Sequence, residues 1–493
     1  MYKDKDMASG NFTKTSVKIF AGITILGVWL CAVSLYHTHK PLPDGLEYSG
    51  GMLTVGEDDF AFLYDLTAVG PDGERLVEQQ IFDTIFETIA NARRYILIDM
   101  FLFNACGTEP AVHRNLSHEL AQRLIEQKKA VPALEIDFIT DPINTVYGGT
   151  ISPEIEQLRR AGINVIVTDL HRIRDSNFLY SAFWRTFLQW YESGPENGWL
   201  PHPFSGQGDV TLAGYLDLVN FKANHRKVIV ADSGDQMVTM ITSANPHGGS
   251  SAHGNVAVAV RGDLWRDVYR TESAVAKMSG GSLATVDVLD RGGRQEGSIR
   301  LKLLTEKRIK QSILAACKNL GENDAIRLAM FYLADRDIVR ALLDAAEQGA
   351  SVRLILDPNR DAFGYEKNGI PNRQVGEELV EASAGRIQVR WYDTHGEQFH
   401  PKLFVRENVD MMTMITGSAN LTRRNLDNFN LEIDVYAEID KPSPAADAVH
   451  TYFERMWLNS DGNYTVEFET YRDTSKVKYL LYRIQERLGL GTF

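Results

Sequence analysis

The sequence predicts an α/β protein with two similar α-β-α lobes, a pseudo-twofold cleft between them, and an N-terminal transmembrane helix. Three observations lead there. Strand-like apolar runs alternate with segments of helical period. The alternation is written twice in the same order. One long uncharged stretch, residues 19–36, precedes both copies.

The bulk composition sets limits. A chain of 493 residues with 44% hydrophobic and 24% charged side chains can build a large globular core. A net charge of −13 disfavours nucleic acid as a partner, although it leaves room for a local basic groove. Cys31, Cys106 and Cys317 lack the short spacing of a zinc ribbon. Cys106 and Cys317 are expected as buried free thiols rather than as a disulfide.

Residues 19–36 carry no charge, and a helix of that length spans about 27 Å, close to the hydrocarbon thickness of a bilayer. Lys3, Lys5, Lys14 and Lys18 precede the run. This asymmetry favours an uncleaved single-pass anchor with the catalytic body on the extracytoplasmic side. A small-residue cleavage site is missing, which argues against a removed signal peptide. The expected division is a cytoplasmic segment 1–18, anchor 19–36, linker 37–56, first lobe 57–289, linker 290–300, second lobe 301–460 and tail 461–493.

In the first lobe, residues 77–94 have helical spacing and 95–103 read as a buried strand. Residues 117–129 are helical, 134–140 a strand ending at Asp141-Pro142, 153–161 helical and 163–170 a strand. The second lobe repeats this order. Residues 307–320 are helical and 325–334 a strand. Then come a helix at 337–349, a strand at 352–356 ending at Asp357-Pro358, a helix at 373–383 and a strand at 387–393. Local echoes reinforce the duplication: MFLF at 100–103 against MFYL at 330–333, and DPIN at 141–144 against DPNR at 357–360.

Each lobe closes with the same punctuation. FKANHRKVIVAD is followed by MVTMITSAN, and EQFHPKLFVRE by MMTMITGSAN. His225 and Ser243 are 18 residues apart, as are His400 and Ser418. Alternate residues of a strand share a face, so His225 projects with Lys227, and His400 with Lys402. If the lobes meet about a twofold axis, two imidazoles and two ammoniums converge. Such a group suits a phosphodiester: lysines hold the non-bridging oxygens, one imidazole attacks phosphorus, and the other protonates the leaving alcohol. This chemistry needs no metal or other cofactor.

These residues resemble the phospholipase D superfamily. His225-x-Lys227-x4-Asp232 with Ser243-Ala244-Asn245 is similar to the family motif, as is His400-x-Lys402 with Gly417-Ser418-x-Asn420. The similarity covers residues 60–460. It implies the duplicated fold, a phosphohistidine intermediate and a metal-independent mechanism, with His225 the nucleophile and His400 the acid. By the same resemblance Asp232, Glu407, Ser243, Asn245, Ser418 and Asn420 are supporting residues. Glu432 resembles the acid that orients a catalytic histidine, and Ala257 stands in its place in the first lobe. The sequence departs from the family pattern at Glu407, where the family has Asp, and at Thr242, where it usually has Gly.

The implied partners are a phospholipid substrate, a water or alcohol acceptor, and the membrane. Hydrolysis, phosphatidyl transfer of the cardiolipin synthase type, and cleavage of nucleic acid by an anchored nuclease all use this motif. The lipid readings are preferred. His247, His253, Arg423 and Arg424 are expected in solvated loops. An insertion at 171–220 is rich in aromatics; Trp184, Phe187 and Tyr191 fall on one helical face, expected to pack on its own lobe. The tail helix at 476–490 is likewise expected to dock its apolar face on the body.

Overall fold

The computed structural model describes residues 5–109, 113–205, 208–286, 297–362 and 365–491. Two large sheets organise the chain. The first runs Arg75–Gln79, Phe60–Val69, Asn255–Arg261, Gln236–Thr242, Lys227–Ser233, Tyr95–Met100, Glu135–Thr140 and Asn164–Val167, in order of neighbours. The second runs Leu53–Val55, Ile299–Thr305, Ile433–Asp440, Met411–Gly417, Lys402–Glu407, Ala325–Met330, Ser351–Leu356, Ile387–Tyr392 and Thr465–Glu467. In both, three parallel strands meet an antiparallel set at the strand carrying a candidate lysine: Lys227 pairs with Met100, and Lys402 with Met330.

The helices form where local chemistry starts them. Asp335 caps Arg336–Glu347 by accepting the amides of Asp337 and Ile338 at 3.0 and 3.1 Å. That helix buries Ile338, Val339, Leu342, Ala345 and Ala346 on one stripe. Burying each larger side chain contributes about 1.5–3 kcal/mol. Ser152 caps Pro153–Arg160, with proline in the first turn. Each lobe has its own core beneath its helices. A third core joins Val228 and Val258 of the first sheet to Leu403 and Val435 of the second, so the lobes are packed on each other.

The expected elements are present with some displaced boundaries. Residues 77–94 divide into the strand Arg75–Gln79 and the helix Ile81–Asn91, because Val77 and Gln79 pair with Phe60–Val69. The expected linker 37–56 contains Leu53–Val55, which forms an edge of the second sheet against Ile299–Thr305. The expected tail contributes Thr465–Glu467 to the other edge. Of the expected linker 290–300, residues 290–296 lie outside the described residues, and Ile299 already belongs to a strand. All three cysteines are free; Cys317 is buried and Cys106 half-buried.

The N-terminal helix is Lys5–His39, and its part Ser16–His39, with mean hydropathy 2.1, is long and apolar enough to cross a membrane. Its apolar window is not buried in the body.

Candidate active site

Both candidate histidines precede a strand, and each is fixed by the opposite lobe. The His225 amide donates to the Leu431 carbonyl at 2.9 Å, and the His400 amide to the Gly254 carbonyl at 2.8 Å. Reciprocal bonds close each contact: Leu431 N to Ala223 O at 3.0 Å, and Gly254 N to Gln398 O at 3.0 Å. The aspartates of the two Asp-Pro echoes brace the same segments. Asp141 accepts the Asn224 amide at 2.6 Å, and Asp357 the Phe399 amide at 2.8 Å. Burial raises these carboxyls to about 8 and about 7.

Side-chain partners cross between lobes as well. His225 Nδ1–H donates to the Glu432 carboxylate at 3.0 Å. His400 Nδ1–H donates to Asn255 Oδ1 at 3.1 Å. In both lobes a serine holds the partner in turn. Ser243 Oγ donates to Asn255 Oδ1 at 3.1 Å and accepts the Val256 amide at 3.0 Å. Ser418 Oγ donates to Glu432 and accepts the Ile433 amide at 2.9 Å. Asn255 is therefore the counterpart of Glu432. Ala257 is not; it lies two residues further along, wholly buried in the core of the first lobe.

The departure at Thr242 is accommodated. Its hydroxyl accepts the Ala244 amide at 3.0 Å, the bond that Asp434 makes to the Ala419 amide at 3.1 Å in the second lobe. At Gly417 a Cβ would meet the Ile433 carbonyl at 2.3 Å, so that lobe needs glycine there.

Lys227 Nζ donates to the His225 carbonyl at 2.7 Å, and Lys402 Nζ to the His400 carbonyl at 2.8 Å. An aromatic ring covers each pair. Phe101 lies 4.8 Å from the His225 ring and 5.0 Å from Lys227 Nζ. Phe331 lies 4.8 Å from the His400 ring and 5.2 Å from Lys402 Nζ. These phenylalanines belong to the MFLF and MFYL echoes.

Burial dominates the electrostatics. Desolvation, then Lys227 and Lys402, push His225 well below its ordinary value. Desolvation, Lys402 and His253 do the same to His400. Burial lowers Lys227 to about 7 and Lys402 well below its usual value. It raises Glu432 to about 8 against the pull of Lys227. Burial thus disfavours charge on the bases and acids alike, and a phosphodiester anion between the lysines would favour their charged form. Each of the two rings turns Nδ1 toward an acceptor fixed by the opposite lobe.

Other candidate residues belong to the framework. Asp232 accepts the amides of Arg93, Arg94 and Tyr95 at 3.0, 2.8 and 2.8 Å, at the end of its strand remote from Lys227. Glu407 pairs with Arg327 and with Lys441 at 2.9 Å. Asn245 and Asn420 are buried, and Asn245 accepts the Leu102 amide at 3.3 Å. Neither His247 nor His253 is solvated; both are buried, and the His253 ring centroid is 6.2 Å from that of His400. Arg424 is buried too, and with Arg423 it binds the C-terminal helix: Arg424 Nη2 donates to Gly489 O at 2.9 Å, and Arg423 N to Glu486 at 2.8 Å.

The fold is thus α/β, built on two large sheets, each carrying one histidine–lysine pair. Residues 316–457 match the family model described as "Cardiolipin synthase, PLD-like domain". The fold is similar to that of phosphatidylserine synthase from Haemophilus influenzae Rd KW20, with TM-score 0.53 and 10% identity over 94% of this chain and 98% of that one. Residues 316–457 are accordingly similar to a phospholipase D-like domain, within a chain that shares its fold with the Haemophilus structure. Weaker similarities extend to polyphosphate kinase from Porphyromonas gingivalis (TM-score 0.44, 12% identity, 88% of this chain and 53% of that one). Another is the phospholipase D family member Nuc from Salmonella typhimurium (TM-score 0.26, 19% identity, 34% and 99%). No curated protein matches the chain.

Proposed function

We propose that the protein is a phospholipid phosphodiesterase or phosphatidyltransferase that works through a phosphohistidine on His225. The reciprocal contact of each histidine with the opposite lobe carries this reading, above all the Glu432 carboxylate on His225 Nδ1. The cardiolipin synthase-type match of residues 316–457 supports a phospholipid as substrate.

The phosphodiester anion lies between Lys227 and Lys402, which hold its non-bridging oxygens as charge builds there. His225, kept neutral by burial, attacks phosphorus through Nε2 while Glu432 takes up the charge growing on the ring. The bond from phosphorus to the head-group oxygen breaks, and a proton from His400 goes to that oxygen. His400 draws this proton when the substrate anion offsets the neighbouring lysines. An alcohol or water then gives its proton back to His400, attacks phosphorus and displaces His225. An alcohol gives transfer; water gives hydrolysis.

The test is to incubate the full chain with labelled phosphatidylglycerol, phosphatidylcholine and single-stranded DNA, in EDTA. The proposal expects free head group or a new phosphatidyl product. Nucleotide release without lipid turnover would replace it with a nuclease.

A further inference from the structure

The aromatic insertion after residue 171 does not bury its rings as its helical periodicity suggests. In the helix Phe178–Phe187, Trp184 is buried, but Leu179, Phe183 and Phe187 stand in solvent. Beyond the helix, Trp190 is 76% exposed and Trp199 67%. Exposed rings in such number mark a surface with a partner.

The C-terminal helix Lys476–Leu488 behaves alike. It docks through Tyr482, whose hydroxyl donates to the Ala334 carbonyl at 3.0 Å, and through Glu486. Its apolar positions Val477, Leu480, Leu481 and Ile484 remain exposed, contrary to the expectation that they dock. The two helices adjoin. Phe178, Leu480, Ile484 and Leu488 share one groove of about 1030 Å³, whose other lining residues are charged, Lys310 and Arg487 among them. A Cβ on Gly489 would touch the Ser176 carbonyl, at 2.0 Å.

What covers this face is indicated by its root. The insertion is tied to the end of the apolar N-terminal helix. Asp175 N donates to His37 O at 3.0 Å, Arg174 Nε to Lys40 O at 2.8 Å, and Lys40 Nζ to His171 O at 3.0 Å. Those residues close a helix long and apolar enough to cross a bilayer, so a membrane around Ser16–His39 would reach the insertion. Arg185 of the aromatic helix grips Asp175 at 2.6 Å, and Asp175 also pairs with Lys222, three residues before His225. Burial opposes that carboxylate, yet Arg185 and Lys222 outweigh it and hold it well below the usual range.

We infer that Phe178–Phe187, the following Trp190 and Trp199, and the exposed face of Lys476–Leu488 lie together on the phospholipid bilayer. Indole and phenyl rings settle at the level of the head groups, and the aliphatic face reaches the acyl boundary. This surface joins the anchor to Lys222 on one side and to Ala334, near Phe331, on the other. It thereby sets the body's orientation and holds the candidate site at the head-group layer. The inference rests on reading Ser16–His39 as a membrane span.

The test uses the full chain in nanodiscs of phosphatidylcholine and phosphatidylglycerol with acyl chains brominated either near the head group, to reach Trp190 and Trp199, or near the methyl end, to reach Trp29. Indole quenching is compared among Trp29→Phe, Trp29→Phe/Trp190→Phe/Trp199→Phe and the unaltered chain. The inference expects quenching to survive removal of Trp29 and to fall by more than half when Trp190 and Trp199 go too. Quenching confined to Trp29 would leave the span standing and overturn the docking face. Absence of quenching at all three would overturn the span, and the inference with it. A particle mass of two chains that becomes one chain in Trp190→Asp/Phe187→Asp would assign the face to a second copy instead and also overturn it.

Discussion

Glu432 of the second lobe accepts a hydrogen bond from His225 Nδ1 of the first at 3.0 Å, whereas His400 is paired with the neutral amide of Asn255 at 3.1 Å. The partners of the two histidines are therefore asymmetric. Under the proposed mechanism a carboxylate suits His225, because it stabilises an imidazolium as that ring takes up the phosphoryl group. An amide orients a ring without holding its proton, which suits the group that gives a proton away.

Charging Asn255 should change the acid without moving it. In Asn255→Asp a carboxylate faces His400 Nδ1, the imidazolium is stabilised, and the His400 pKa rises. Its proton is then kept to higher pH, so the alkaline limb of the kcat profile shifts upward. Glu432→Gln keeps the hydrogen bond to His225, removes the charge, and lowers kcat by about 10²-fold or more. The pH–rate profiles of both variants check this.

Anion binding should weaken with rising pH. Burial lowers Lys227 to about 7. Sulfate, fully ionised across the window, binds the protonated form. Its affinity is full below pH 7 and falls as the pH rises through and beyond that value, since the bound anion itself raises the lysine. Calorimetric titration at several pH values measures the slope; a pH-independent affinity would contradict the assignment of Lys227 as a phosphate ligand.

Asp232 should matter for folding and not for turnover. Its carboxylate satisfies three backbone amides, one of them fully buried, so Asp232→Ala is expected to cost about 2–4 kcal/mol and Asp232→Asn less. Thermal unfolding should register both, while kcat per folded molecule in Asp232→Asn stays at the level of the unaltered enzyme. A large drop in kcat without loss of Tm would restore Asp232 to the site.

The histidine–lysine pairs were legible because a strand's two-residue period is local: it places His225 with Lys227, and His400 with Lys402, without any tertiary information. Asp232 was read by resemblance as a supporting residue; at about 3.3 Å per residue, five positions along the strand put it about 16 Å from Lys227, against the amides of Arg93, Arg94 and Tyr95. The partners of the rings were harder to read. Asn255 and Glu432 each serve the histidine of the other lobe, and nothing local says which loop faces which. The counterpart of Glu432 was read as Ala257 because the spacing from serine differs by two residues between lobes; the serine hydroxyl bonds, visible only in three dimensions, fix it as Asn255. Phe101, Phe331, Asp141 and Asp357 had left a trace as short repeated strings. The insertion shows how far periodicity reaches: of the three rings it placed on one packed helical face, Trp184 is buried as expected, Phe187 is exposed, and Tyr191 lies exposed beyond the end of the helix.

The most direct test of the account is where the phosphoryl group rests. His400→Ala, given a diester with a leaving group that needs no acid, should form the adduct and then stall, because nothing activates the acceptor. Rapid quenching at alkaline pH and peptide mass spectrometry should find a phosphoryl adduct on His225, absent from His225→Ala. An adduct on His400 in the unaltered enzyme, or undiminished turnover in His225→Ala, would contradict it.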